Sequence, residues 1–298
     1  MKTRIINVEA DELVYRAAFA VQRNGYIVKS VKGGEKDLGT KFNRTTIIKQ
    51  MEDRHRKLGE DYTLESYPTA EPASHSIQII KSTIRRLQKL GEPVFWLSPS
   101  NKSNFRNSVA VTPGPRGPGY KAGRPPRPLN YQPVRDYMIE HWDATEIDGY
   151  EADDALGIYQ TETSIAAHID KDISMVPGNH INWVTMEQYY CPEGIGTLDL
   201  DGRKLIGRGH KFFFAQLLTG DNTDNIPGVG GFGSVKAYKL LQDNSLTHKD
   251  CMAIVRDVYE DKHPDTWRER LLEVADLLWI VQPDRRIGRE VVLELLGE

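Results

Sequence analysis

The stretch Gly220–Leu241, GDNTDNIPGVGGFGSVKAYKLL, sets two aspartates three residues apart before a glycine-dense turn, and the turn opens onto a helical run. Asp221 and Asp224 are hard oxygen donors. Gly228, Gly230, Gly231 and Gly233 carry no Cβ, so their backbone can come close to a ligand. The run from Ser234 through Lys236 to Leu241 begins with a helix N-terminus, which attracts anions, and Lys236 adds a phosphate-seeking charge one turn in. Two chemistries share this address: holding a metal ion and gripping a phosphate backbone.

The whole chain bounds these chemistries. Its 298 residues are 39% hydrophobic and 27% charged, ordinary for a globular protein. No apolar run approaches the roughly 20 residues that span a bilayer. The opening MKTRIINVEADELVY has acids where a signal peptide needs its apolar stretch. The expectation is a soluble, cytoplasmic protein without membrane contact. Cys191 and Cys251 match no zinc or redox spacing and read as buried thiols.

Net charge is −3, but its distribution matters more. Pro93 to Arg135 contains no acid and carries Lys102, Arg106, Arg116, Lys121, Arg124, Arg127 and Arg135. Acids gather at Glu9–Glu12, Glu151–Asp154, Asp170–Asp172 and Asp221–Asp224. A metal-dependent enzyme acting on a polyanion needs both features.

Arg4–Val8, Pro93–Leu97 and Ser164–Ile169 are buried-strand patterns, and Tyr62–Tyr67 reads as a further strand. Ala10–Ala20, Ile47–Leu58, Ser76–Leu90, Val134–His141, Glu151–Tyr159 and Phe212–Leu218 read as helices. Residues Val21 to Thr40 suggest a hairpin or loop. Thr112–Pro133 is dense in Pro, Gly and Arg and predicts an exposed, mobile excursion. Strand–helix alternation implies an α/β fold with a mainly parallel sheet flanked by helices, followed by a helical C-terminal third. In such sheets ligands bind beyond the carboxyl ends of strands, where Glu9, Asp11, Asp170 and Asp172 fall. Acids in the first turn of a helix, as at Glu151–Asp154, also simply complement its dipole. Four clusters far apart in sequence point instead to Mg²⁺ or Mn²⁺, since converging carboxylates need a cation and no His or Cys cluster competes. Two such ions would activate water against a phosphodiester.

GYEADD (Gly149–Asp154), IDKD (Ile169–Asp172), GDNTDNIPGVGGFG (Gly220–Gly233), NFR (Asn104–Arg106) and YKAGR (Tyr120–Arg124) together resemble the 5′-nuclease family, the flap endonucleases and 5′→3′ exonucleases of bacteriophages and bacterial DNA polymerases. The likeness runs from about Arg4 to Leu241, and without a polymerase domain the chain looks most like the stand-alone phage enzymes. The resemblance implies a PIN-like α/β nuclease core over 1–205, with an arch or clamp at about 99–133. It implies a helix–three-turn–helix DNA-binding region over 206–298. Asp153 would lie near both ions, supported by Glu151 and Asp154. Asp170, Asp172, Asp221 and Asp224 would hold the second ion. Lys121 and Arg124 would contact the scissile phosphate. Arg106, Tyr120, Lys121, Arg124, Gly228, Gly230, Gly231, Gly233, Ser234 and Lys236 would touch DNA, with Tyr120 placed to stack on a base and K⁺ held at the Gly228–Gly233 turn. The implied substrate is DNA with 5′ ends, flaps or nicks, including RNA primers on DNA. The implied enzyme is a monomer acting in primer and flap removal during replication or in DNA degradation.

Two departures stand out. The family's first strand usually ends in a metal-binding aspartate, and here the aligned residue is Glu9, with Asp11 nearby. Many relatives carry an aspartate after the strand matching PVFWL, and here Ser98, Ser100 and Asn101 occupy that loop. The expectation is a weakened first metal site and an intact second one. This keeps a rival reading open, a flap-DNA-binding protein with weakened nuclease activity. A ribonuclease on a related core is a third.

Overall fold

The computed structural model describes residues 3–101, 103–109 and 112–298; Lys102, one of the basic residues named above, lies outside them. Strand β1 (Ile5–Glu9) is buried from Ile6 onward. It pairs in parallel with β5 (Glu92–Leu97) on one side and β7 (Ile165–His168) on the other. Beyond them, β6 (Thr145–Glu146) joins β5 and β8 (Gly178–Asn182) joins β7, both parallel, while β9 (Gln188–Cys191) closes the β8 edge antiparallel. The order β6-β5-β1-β7-β8-β9 makes the expected mainly parallel sheet of an α/β protein. Short apolar runs such as IINV and IAAH suit strands covered on both faces, and helix α5 (Ala152–Ile158) packs over β1, β5 and β7. Register sets Glu9 opposite Trp96 and Val8 opposite Ala167. The strands therefore finish together, and the residues after them open at one edge.

The chain divides into two compact units. The first comprises 1–12, 83–126 and 139–298 and holds the sheet. It also contains the hairpin β10 (Thr197–Asp201)–β11 (Lys204–Arg208) and helix α6 (His210–Thr219). After α6 come the short pair β12 (Gly220–Asp221) and β13 (Ile226–Pro227), then α7 (Ser234–Leu241), α8 (His248–Lys262), α9 (Trp267–Leu278) and α10 (Gly288–Leu296). Phe213, Phe214, Leu217, Leu271 and Val281 belong to one buried cluster with Ala155 and Leu156 of α5. The packing shows no break at the expected boundary after residue 205: residues 206–298 fall in the same unit as the sheet. Cys191 and Cys251 are buried free thiols.

The second unit comprises 13–82 and 127–138. Its antiparallel sheet runs β3 (Glu35–Gly39), β2 (Gln22–Ser30), β4 (Tyr62–Ala70), so Val21–Thr40 forms the hairpin allowed for above. It also contains α2 (Arg44–Leu58) and most of α1 (Ala10–Ala20), α3 (Ala73–Leu87) and α4 (Tyr131–Trp142). Helix α2 starts one turn earlier than its apolar pattern predicts, because Asn43 accepts the Thr46 N–H at 2.8 Å and caps it.

Candidate active site

The acids of four segments meet where the sheet opens. Glu9 ends β1, is only 4% exposed, and both its carboxylate oxygens accept the Glu12 N–H, at 3.1 and 2.9 Å. Burial, then Asp153, Asp11 and Glu12, push its carboxyl well above the usual range. Half-buried Asp153, in the first turn of α5, is likewise pushed up by burial and then by Asp170. Past β7, Asp170 accepts the Asp172 N–H at 2.9 Å, and burial followed by Asp170 pushes Asp172 up to about 7. Across from it is Asp221. Lys171 spans the two, its Nζ 2.8 Å from Asp172 Oδ1 and 2.8 Å from Asp221 Oδ2. Burial opposes ionisation of Asp221 too, but Lys171 and the N–H groups of Thr223 and Asp224 outweigh it and hold its carboxyl low. One lysine thus serves two acids with opposite results, because Asp172 also faces Asp170 while Asp221 receives two backbone donors.

Facing this row is the basic loop. Lys121 Nζ donates to Glu151 Oε1 at 2.7 Å, and Arg124 donates to Asp224. Burial would raise the Glu151 carboxyl, yet Lys121 and Arg106 hold it down to about 2. Tyr120 is turned inward rather than exposed for stacking: its hydroxyl lies 2.9 Å from Glu151 Oε2 and 3.2 Å from Asp224 Oδ2. Nor is the Pro/Gly/Arg-rich excursion free along its length. Lys121 N–H donates to Asp224 O at 2.8 Å, and the Arg116 guanidinium donates to Asn222 O at 2.9 Å and to Thr223 O. Residues 114–124 are therefore docked on the GDNTDN turn, which composition alone does not reveal.

Two expected site residues have other work. Arg106, expected at DNA, is 1% exposed. Its guanidinium donates to both oxygens of Asp154, at 2.5 and 2.9 Å, and to the carbonyls of Leu277 and Trp279. Asp154, expected to support a metal, is 0% exposed. It also accepts the N–H groups of Glu151 at 3.0 Å and Val281 at 2.9 Å. The pair joins α5 to the segment after α9, and its desolvation requires this full set of partners. Gly228 is exposed, and its lack of a side chain has a packing reason of its own. A Cβ there would meet the Thr219 carbonyl at 2.3 Å, so its glycine serves packing against the end of α6. Gly230 and Gly233 face open space, and at Gly231, with φ +82°, Lys236 Nζ would be the nearest atom at 3.9 Å.

At the first-ion end, Asp11 Oδ2 accepts the Ser98 N–H at 2.8 Å, and Ser98 Oγ accepts the Ala152 N–H at 3.0 Å. Ser103 Oγ donates to Asp148 at 2.9 Å, so an acid from beyond β6 stands beside the loop that lacks its own. Sequence reading passed over Lys171, although a lysine between two aspartates in IDKD is a visible signal, and it passed over Gln216, which donates to Asp172 at 2.8 Å.

Among the described residues, no three acid, His or Cys side chains lie close enough to hold a metal together. The donor set itself is hard oxygen, with its charges pressed against one another. That chemistry fits a divalent cation of the Mg²⁺ or Mn²⁺ kind, which relieves repulsion that burial otherwise meets with protons.

No protein-family profile matches the chain. A thermostable DNA polymerase I of Thermus aquaticus is 28% identical over 237 residues, 76% of this chain and 26% of that protein. A 5′-3′ exonuclease of Streptomyces coelicolor is 29% identical over 159 residues, 50% of each chain. The chain thus spans about a quarter of the first relative and half of the second. Among solved structures, a mutant of T5 5′-exonuclease superposes with a TM-score of 0.42 at 15% identity, covering 76% of this chain and 91% of that one. No described helix is long and apolar enough to cross a membrane.

Proposed function

The similarity to DNA polymerase I and 5′-3′ exonuclease chains supports the 5′-nuclease family for this chain, and from that premise we propose a divalent-metal-dependent 5′→3′ exonuclease and flap endonuclease that hydrolyses DNA phosphodiesters at or near 5′ ends. One observation carries this reading: acids from β1, α5, the end of β7 and the α6–α7 turn gather at the sheet's open edge against Lys121 and Arg124. Glu9, Asp153, Asp170, Asp172, Asp221 and Asp224 would hold the cations. Bound Mg²⁺ or Mn²⁺ supplies charge that acidifies water and stabilises a leaving oxygen. Lys121 and Arg124 exchange Glu151 and Asp224 for the scissile phosphate. Both sets of partners are anionic oxygens, so the exchange preserves the charge-assisted bonds.

The α6–turn–α7 segment acts as the helix–three-turn–helix grip. Gly230, Gly231, Gly233, Ser234 and Lys236 meet a duplex backbone, and turn carbonyls hold K⁺. The substrates are 5′ flaps, nicks and primer ends in phage-type replication, processed by a cytoplasmic monomer. The test is incubation of the full chain, in excess, with 5′-flap and nicked duplexes. Cleavage is expected in Mg²⁺ or Mn²⁺, and its absence in both sinks the proposal.

Glu9 and Ser98 favour a second reading, a flap-binding protein with weakened nuclease activity. The Glu9 carboxylate is buried on Glu12 N–H, and the hydroxyl of Ser98 caps α5 from the loop where the family resemblance implies an acid. Titration with Mn²⁺ separates the two: a single bound ion with tight flap affinity and no turnover favours the second.

A further inference from the structure

Asn225 belongs neither to the acids nor to the glycines of its loop, yet it is 0% exposed. Its φ of +60° is a left-handed conformation that asparagine tolerates better than most residues. Its side chain is committed across the chain. Oδ1 accepts the Arg116 N–H at 2.7 Å, and Nδ2 donates to Gly117 O at 2.9 Å and Gly119 O at 2.8 Å. The turn it holds is tight, with Gly114 and Gly117 exchanging backbone hydrogen bonds at 3.0 and 3.1 Å. Gly114 lies flat on Asn225, since a Cβ there would meet Asn225 O at 2.0 Å. Next to this contact, Lys121 N–H is bonded to Asp224 O, and Lys121 itself has a φ of +57°, which lysine seldom adopts.

We infer that Asn225 is a positioning residue, a clasp that fixes the loop of Lys121 and Arg124 to the turn of Asp221 and Asp224. Phosphate-holding and metal-holding groups then move as one body. The kinetic consequence rests on the nuclease reading above; the clasp itself does not. A loop released by about 1 Å would cost roughly a hundredfold in rate.

The experiment compares wild type with Asn225→Asp and Gly114→Ala. The first keeps the side chain's shape but replaces its two donors with an acceptor. The second wedges the loop from the opposite side. Both are expected to lower kcat on flap DNA about a hundredfold, with DNA affinity in Ca²⁺ unchanged. Limited trypsinolysis gives a readout independent of activity. Nicking after Arg116 and Lys121 should quicken on the order of tenfold while sites elsewhere keep their rates. Unchanged nicking in both variants overturns the clasp. Faster nicking throughout the chain does too, since it means that Asn225 supports the fold at large. If wild type cuts no DNA yet the two variants open the loop selectively, the nuclease reading fails and the clasp stands.

Discussion

Asp153 and Asp154 are neighbours in sequence and opposites in environment. Asp154 is sealed inside the protein with Arg106 and two backbone N–H groups, so its charge is met completely within the chain. Asp153 stands among Glu9, Asp170 and Glu151, with Lys121 the cation it feels, and its carboxyl is pushed upward. On a helix two successive residues point about 100° apart, and here that angle separates a structural charge from an available one. A carboxylate becomes a candidate ligand when the fold leaves its charge unmet.

The largest expected effect is on the sealed side. Asp154→Ala strands the Arg106 guanidinium in the interior and should cost about 3–5 kcal/mol, read from the urea midpoint. A cost well under 1 kcal/mol would erase the contrast. Asp153→Asn should do the reverse. Stability without metal should hold or rise, because a repelling charge is gone, while cleavage falls about a hundredfold or more. Destabilisation matching that of Asp154→Ala would break the comparison.

The two sides should also differ in pH dependence. Asp172 titrates at about 7 in the fold against an ordinary 3.8, so between those values the folded chain keeps a proton that the unfolded chain has lost. Its contribution to stability is present below pH 3.8 and disappears as pH rises to about 7. Glu151 runs oppositely: from an ordinary 4.5 it is held at about 2, so its contribution is present above 4.5 and disappears as pH falls to about 2. Urea midpoints between pH 4 and 8 in EDTA should therefore fall with pH, less so in Asp172→Asn and less so in Mg²⁺. Identical slopes in all three would contradict the assignment. The smallest effect is Tyr120→Phe, which removes one hydroxyl from Glu151 and Asp224. It should cost about 1 kcal/mol and lower cleavage severalfold; an unchanged cleavage rate would deny the hydroxyl a part in the site.

The sheet was legible because the short, mostly apolar runs at Ile5–Val8 and Ile165–Ala167 have few alternatives to buried parallel strands. The acids were legible because they follow those runs. Arg106 was misread because its partners lie on α5 and after α9, and nothing within NFR signals a contact that distant. The Arg116–Arg124 loop was misread for a related reason. Its composition buries little of its own, and its bonds run to Asn222, Thr223, Asp224 and Asn225, distant in sequence and in the same turn as the acids.

The pairing of β1 has a consequence for assembly. Ile5 meets Glu92 and Ile6 meets Ile165, so the central strand waits for partners far along the chain. Folds dominated by such distant pairings collapse slowly, and their last-formed contacts govern escape from the native state more than entry into it. Glu9 and Asp153 come into one another's field only once α5 has packed on β1, and Asp170 joins Asp153 only once β7 has docked there too. Their repulsion is therefore largely missing from the folding barrier and weighs on the native side, where it hastens unfolding. A cation that quiets them would act chiefly on the lifetime of the folded chain, slowing its loss rather than speeding its formation.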